Sequence, residues 1–131
     1  MLILKFCMII SLILASIEDV KDNMVSDLYT FGFAYLCIVY NIIYRQQLVL
    51  VLMATILLIT IYKSGRQMYF GMGTADIVIY LGFLLKFNFV SFLLAVLISN
   101  LTGIICYCLT RKQQEKGIAM MPFFLLALLL V

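Results

Sequence analysis

The chain has 131 residues, room for one domain, and 66% of them are apolar against about 45–50% in an ordinary soluble protein. Only 11% are charged, against about 25%. That much apolar surface exceeds the interior a soluble domain of this size can offer, so nucleic-acid binding is excluded as the main role despite a net charge of +3, as are disorder and a disulfide scaffold.

A spanning helix needs about 20 apolar residues, with about 17 as a practical minimum. The first run covers 2–17, with Lys5 near its start and Glu18-Asp19 closing it. It has the length of a signal peptide, but it ends in acids without a small-residue cleavage site, so it reads as a retained span. The second run, 28–44, is rich in Tyr and Phe, and Tyr44-Arg45-Gln46-Gln47 makes a tight helical hairpin to the third, 48–62. Residues 63–75 carry three Gly and two basic side chains and read as a loop or a partly re-entrant segment. The fourth run goes from Asp76 to about Phe87, and the fifth covers 89–110. After the polar stretch 111–116 comes a sixth run, 117–131, holding the only proline, Pro122, which kinks or starts the last helix. The expected architecture is an all-α integral membrane protein, a bundle of about six transmembrane helices forming a single domain over 1–131.

Six spans place Lys21, Lys63, Arg66, Arg111, Lys112 and Lys116 on one side and Lys5, Arg45 and Lys86 on the other. The positive-inside rule makes the first side cytoplasmic and leaves both termini outside. All six acids, Glu18, Asp19, Asp22, Asp27, Asp76 and Glu115, fall on the cytoplasmic side. Acids contribute little to orientation, so this clustering asks for another reason. Lys63, Arg66, Arg111 and Lys112 suit lipid phosphates. Cys7, Cys37, Cys106 and Cys108 all sit inside apolar runs and the chain has no His, so they read as packing residues, and neither a metal nor a cofactor is expected.

Asp76 is the informative acid, because apolar sequence follows it directly. If Lys86 marks the outer interface, ten residues of helix put Asp76 only about 15 Å inward. The hydrocarbon core is about 30 Å thick, and a carboxylate inside it costs at least about 2.5–3.5 kcal/mol. It should face the bundle or a water-filled cavity and have a partner. Asp19, at the inner end of the first helix, is the candidate; Asp22 and Asp27 lie farther into the loop. Two close carboxylates share a proton, so that one activates water while the other polarises a peptide carbonyl. The competing reading makes Asp76 a helix N-cap favoured by the dipole.

Three short stretches then resemble a family. Asp19, Val20, Lys21 and Val25 match the first motif of type IV prepilin peptidases, with Ser26 and Asp27 where Pro and Asn are usual. Gly73-Thr74-Ala75-Asp76 resembles the second, G-x-G-D, with Ala75 in place of the second Gly and Val78 in place of a Lys. Residues 118–123, with Pro122, resemble the Ile-Pro-x-x-Pro-Phe entry to the last helix. The resemblance covers nearly the whole chain. It implies a six-helix bundle in a bacterial cytoplasmic membrane, with Asp19 and Asp76 as a catalytic dyad near the cytoplasmic face and Gly73, Ala75, Lys21 and Pro122 as supporting motif positions. It also implies a prepilin or pseudopilin precursor as substrate, cleaved between its basic leader and its apolar helix. Glu18, Asp22 and Asp27 would suit docking of that leader. Many members methylate the new N-terminus through an extra N-terminal region with paired Cys motifs; this chain starts at the first protease helix, so methylation is not expected. Gly71 and Gly73 give either room for substrate backbone beside Asp76 or an ordinary interhelical loop. The alternative function is a non-enzymatic small membrane protein, a transporter or assembly subunit in which Asp76 carries a proton, or a catalytically silent relative.

Overall fold

Long stretches of Leu, Ile and Met with no internal proline favour helix. The single proline lies in a helical first turn, where its missing N–H has no intrahelical partner to lose. The structure, a computed structural model, describes residues 1–22, 24–65, 68–69, 72–109 and 120–131. Six α-helices account for most of them: α1 (Leu2–Asp22), α2 (Asp27–Tyr40), α3 (Leu48–Ser64), α4 (Thr74–Lys86), α5 (Phe89–Leu109) and α6 (Met121–Leu130). Residues 27–45 and 89–109 form helices long and apolar enough to cross a membrane; α3 and α6 are apolar but shorter.

The helix ends refine the sequence reading. α1 runs past its apolar stretch to Asp22. Glu18 then reaches the chain's re-entry, where its Oε2 accepts the Ser26 N–H at 2.8 Å just before α2 begins. The expected loop at 63–75 contains a short antiparallel hairpin, β1 (Met68–Tyr69) and β2 (Met72–Gly73), leading straight into α4. Gly71, Arg66, Arg111, Lys112 and the start of the sixth run at 117–119 lie outside the described residues.

α2 and α4 form the central pair. α1 lies against α2 and α6, α5 against α6 and α4, and α3 against α4 alone among the α-helices of its surroundings with substantial contact. Aromatic rings link three of these helices: Phe33 of α2 meets Phe83 of α4 edge-on at 5.8 Å, and Phe83 meets Phe124 of α6 at 6.1 Å. Edge-to-face rings at these distances are favourable beyond the area they bury. On α5 the buried residues are all small, Ala95, Ser99 and Gly103, spaced four apart on one face. Most of its large side chains, among them Leu94, Leu97, Leu101 and Ile105, are exposed, while Phe92 and Ile98 pack partly buried against the core. Small residues inside and large apolar ones outside invert the soluble arrangement and match helix association in lipid.

α2 does not stop cleanly. Residues Asn41–Arg45 continue it as a π-helical turn, and Gln46 then reverses the chain in a left-handed conformation at φ 54°. Asn41 continues the buried stripe of Phe33 and Cys37 on α2 and is itself fully buried. Its Nδ2 donates to the Leu85 carbonyl at 2.6 Å, and its Oδ1 accepts the Gln47 N–H at 3.2 Å. Arg45 donates to the carbonyls of Leu85 and Phe87. Together they satisfy carbonyls that the end of α4 would otherwise leave open. Asn41→Ala should therefore cost about 1 kcal/mol, the low end of the range because Arg45 still reaches Leu85. The check is the midpoint of unfolding in detergent, alongside the parent.

Candidate functional site

The site lies where the end of α1 meets the starts of α4 and α6. Asp19 occupies the last turn of α1 and is buried, 8% exposed. Its Oδ2 accepts the Met121 backbone N–H at 2.9 Å, and the Met120 N–H also donates to it. Met120 and Met121 open α6, so the first helix caps the last. The first N–H groups of a helix have no intrahelical acceptors, and the helix dipole favours negative charge there. Pro122, in the same first turn, fixes the start of α6 at this point.

Asp76 sits in the first turn of α4, and its carboxylate accepts the backbone N–H of Gly73, the N-cap residue. This is the reciprocal half of a capping box, in which the third helical residue reaches back to the cap. The local reason is the spacing: Asp76 is the third residue after the cap, the position from which an acidic side chain reaches back to the cap N–H. Gly73 is in extended backbone, at φ −70°, which any residue adopts. A Cβ there would sit 3.8 Å from Asp76 Oδ2, an ordinary contact.

Each aspartate thus caps a helix, and both lie at the same end of the bundle. They lie within range of direct electrostatic interaction. Neither has a Lys or Arg partner among the described residues. Two helix N-termini and two carboxylates therefore converge at one end of the bundle.

The other predicted residues group around this end unequally. Glu18 is held by the Ser26 N–H. Asp22 and Asp27 are exposed, at the end of α1 and the start of α2. Lys21 is exposed and lines a cleft of about 450 Å³ between α1 and α6, with Ile13, Ile17 and Val20 facing Pro122 and Leu125. Ser16, also on that wall, has its hydroxyl committed to the Leu12 carbonyl at 2.6 Å, so the cleft presents an apolar surface beside Asp19. Ala75 is half-buried against the core. Among the described residues no group of three or more His, Cys, Asp or Glu is placed to hold a metal ion.

Sequence reasoning missed the backbone donors of Met120 and Met121. The one available signal was Pro122, which marks a helix start and hence a set of open N–H groups. Nothing in the sequence says which acid meets them. No family model, curated protein or solved structure matches the chain.

Proposed function

We propose that the chain is a membrane-embedded aspartic endopeptidase of the prepilin peptidase type, a bundle of six spanning helices with its dyad at the cytoplasmic face. The observation that carries this reading is the placement of Asp19 and Asp76, from distant parts of the sequence, at one end of the bundle and within electrostatic range of each other, without a basic partner among the described residues. Close carboxylates disfavour double ionisation, so the pair retains one proton. The titration belongs to the pair and not to either residue. The ionised member takes a proton from water, the water oxygen attacks the scissile carbonyl carbon, and the protonated member donates to the carbonyl oxygen. Collapse of the tetrahedral species breaks the C–N bond and sends a proton to the departing amine.

The surroundings support the same reading. The apolar cleft beside Asp19 suits the apolar helix of a pilin-like precursor, and exposed Asp22 and Asp27 suit its basic leader. The inverted distribution of small and large side chains on α5 supports helices that span a lipid bilayer; the bacterial cytoplasmic membrane follows from the family resemblance alone. Co-expression with a prepilin or pseudopilin precursor tests the activity: the precursor should lose its leader and run faster on a gel. An unchanged precursor across a panel of pilin and pseudopilin types would count against the proposal.

A second reading has an observation of its own. Both aspartates accept backbone N–H groups, which is sufficient employment for two structural caps in a silent relative or an assembly subunit. The two readings part on substitution by Asn, taken up in the Discussion.

Ala75→Gly bears on the motif itself. It should keep or raise cleavage, since it removes a methyl beside Asp76, while lowering stability by about 0.5–1 kcal/mol through backbone entropy. A Gly variant that folds and inserts but no longer cleaves would remove the basis for reading Gly73-Thr74-Ala75-Asp76 as the second motif.

A further inference from the structure

The end of the bundle opposite the aspartates carries the reverse charge. Lys86 closes α4, and its ammonium stands 4.6 Å from the centre of the Phe87 ring. Arg45 donates to the carbonyl of the same Phe87 and to that of Leu85. Lys5, in the first turns of α1, lies within range of the Lys86 charge. Three half-buried cations from α1, the π-helical turn and α4 therefore share one corner. No acid is paired with any of them among the described residues. The Leu85 carbonyl accepts from Asn41 and Arg45 and the Phe87 carbonyl from Arg45, and neither lysine has a counter-charge among the described residues.

The corner also has apolar flanks. Leu2, Leu48, Phe89 and Val90, all near these cations in the chain, are strongly exposed. Tyr40 and Tyr44, whose rings lie 5.0 Å apart on the same turn as Arg45, are the residue type that marks a membrane–water boundary. Cations alone would accept any oxyanion. Cations ringed by exposed apolar side chains at a tyrosine-marked boundary fit an oxyanion that carries acyl chains.

We propose that Lys5, Arg45 and Lys86 form a seat for the phosphate of an anionic phospholipid, with its chains lying along the exposed apolar residues beside it. The inference rests on the membrane reading of the chain and is independent of peptidase activity. The lipid phosphate supplies the missing counter-charge and ties the ends of α1 and α4 together, at the pole opposite the dyad.

The test is native mass spectrometry of the purified protein in detergent, titrated with phosphatidylglycerol, phosphatidylcholine or inorganic phosphate. Phosphatidylglycerol should be retained in preference to phosphatidylcholine. Lys86→Gln and Lys5→Gln should each weaken that retention about fivefold, the effect of one basic residue near an anionic surface. Lys63→Gln, on the end of α3 at the other pole, should leave it unchanged. Equal retention of the two lipids, or parental retention by both the Lys86 and Lys5 variants, would overturn the seat. So would displacement of the lipid by an equal concentration of inorganic phosphate, which would assign the site to a free anion. Flotation of the parent with phosphatidylglycerol vesicles separates the two levels: if it floats while the variants bind as the parent does, the seat alone fails. If it does not float, the membrane reading fails with it.

Discussion

Asp19→Asn and Asp76→Asn should each reduce cleavage of a co-expressed precursor by about 10²–10⁴-fold, the contribution of a positioned acid or base. Both variants should insert and fold as the parent does. The structure explains why these two outcomes separate. An Asn side chain keeps an oxygen that accepts a backbone N–H, and Asn is as good a cap as Asp. Asp19→Asn can thus still hold Met121, and Asp76→Asn can still hold Gly73. What Asn cannot do is exchange the shared proton. Asp19→Ala and Asp76→Ala remove cap and proton together, and each should add a stability loss of about 1 kcal/mol. Exposed Asp22 and Asp27 should tolerate Asn with most turnover retained. Full cleavage by the Asp19→Asn and Asp76→Asn proteins would leave capping as the whole role of both residues. A dead Asp22→Asn beside an active Asp19→Asn would move the first motif by three residues. The dependence on pH should be bell-shaped, because the pair works only while it holds a single proton; a profile flat across the acid and neutral range would argue against the dyad.

Gly82→Ala should destabilise the bundle by about 1–3 kcal/mol, the usual cost of forcing a methyl into a close-packed core. A Cβ at Gly82 would lie 2.7 Å from Cε1 and 3.0 Å from Cδ1 of Phe33, and 3.4 Å from Cys37 Sγ. These atoms belong to the α2–α4 contact at the centre of the fold. Phe33 has little freedom to yield: it is fully buried and held edge-on against Phe83. Relief requires α2 and α4 to separate. The measurement is the unfolding midpoint in detergent, with Gly32→Ala as the comparison, since a Cβ at Gly32 meets nothing within 4 Å. Gly32→Ala should shift the midpoint little. Equal behaviour of the two variants would show that α2 and α4 do not meet closely at Gly82.

The helices were legible because their signals are local. The apolar runs delimit them, and Pro122 announces the last one. The acids at 19 and 76 stood out for a local reason too, an ionisable side chain beside long apolar sequence. Their pairing was reached from topology, which puts both acids on one face without a basic partner, and from the motif resemblance; no periodicity connects the end of α1 to the start of α4. The hairpin at 68–73 gave no alternation to read, since two-residue strands are shorter than one period of the pattern. Asn41 was hidden for another reason. It reads as one more polar residue near a turn. Its spacing from Phe33 and Cys37 puts it on the buried face of α2, but its acceptor, the Leu85 carbonyl, lies 44 positions on and gives no local signal. The capping of α6 by Asp19 joins residues 102 positions apart, and no local rule reports a contact of that range.

That long contact also sets an order of assembly. A chain is synthesised from its N-terminus, and Asp19 is made long before Met121. Until α6 arrives, the carboxylate of Asp19 lacks its two backbone donors, and the last turn of α1 lacks the contact that fixes it. A nascent chain that lacks α6 therefore has both aspartates but an unfinished site. Docking of α6 is the step that supplies the backbone donors to Asp19. On the peptidase reading, such timing would keep a half-built site from acting on its neighbours during biogenesis.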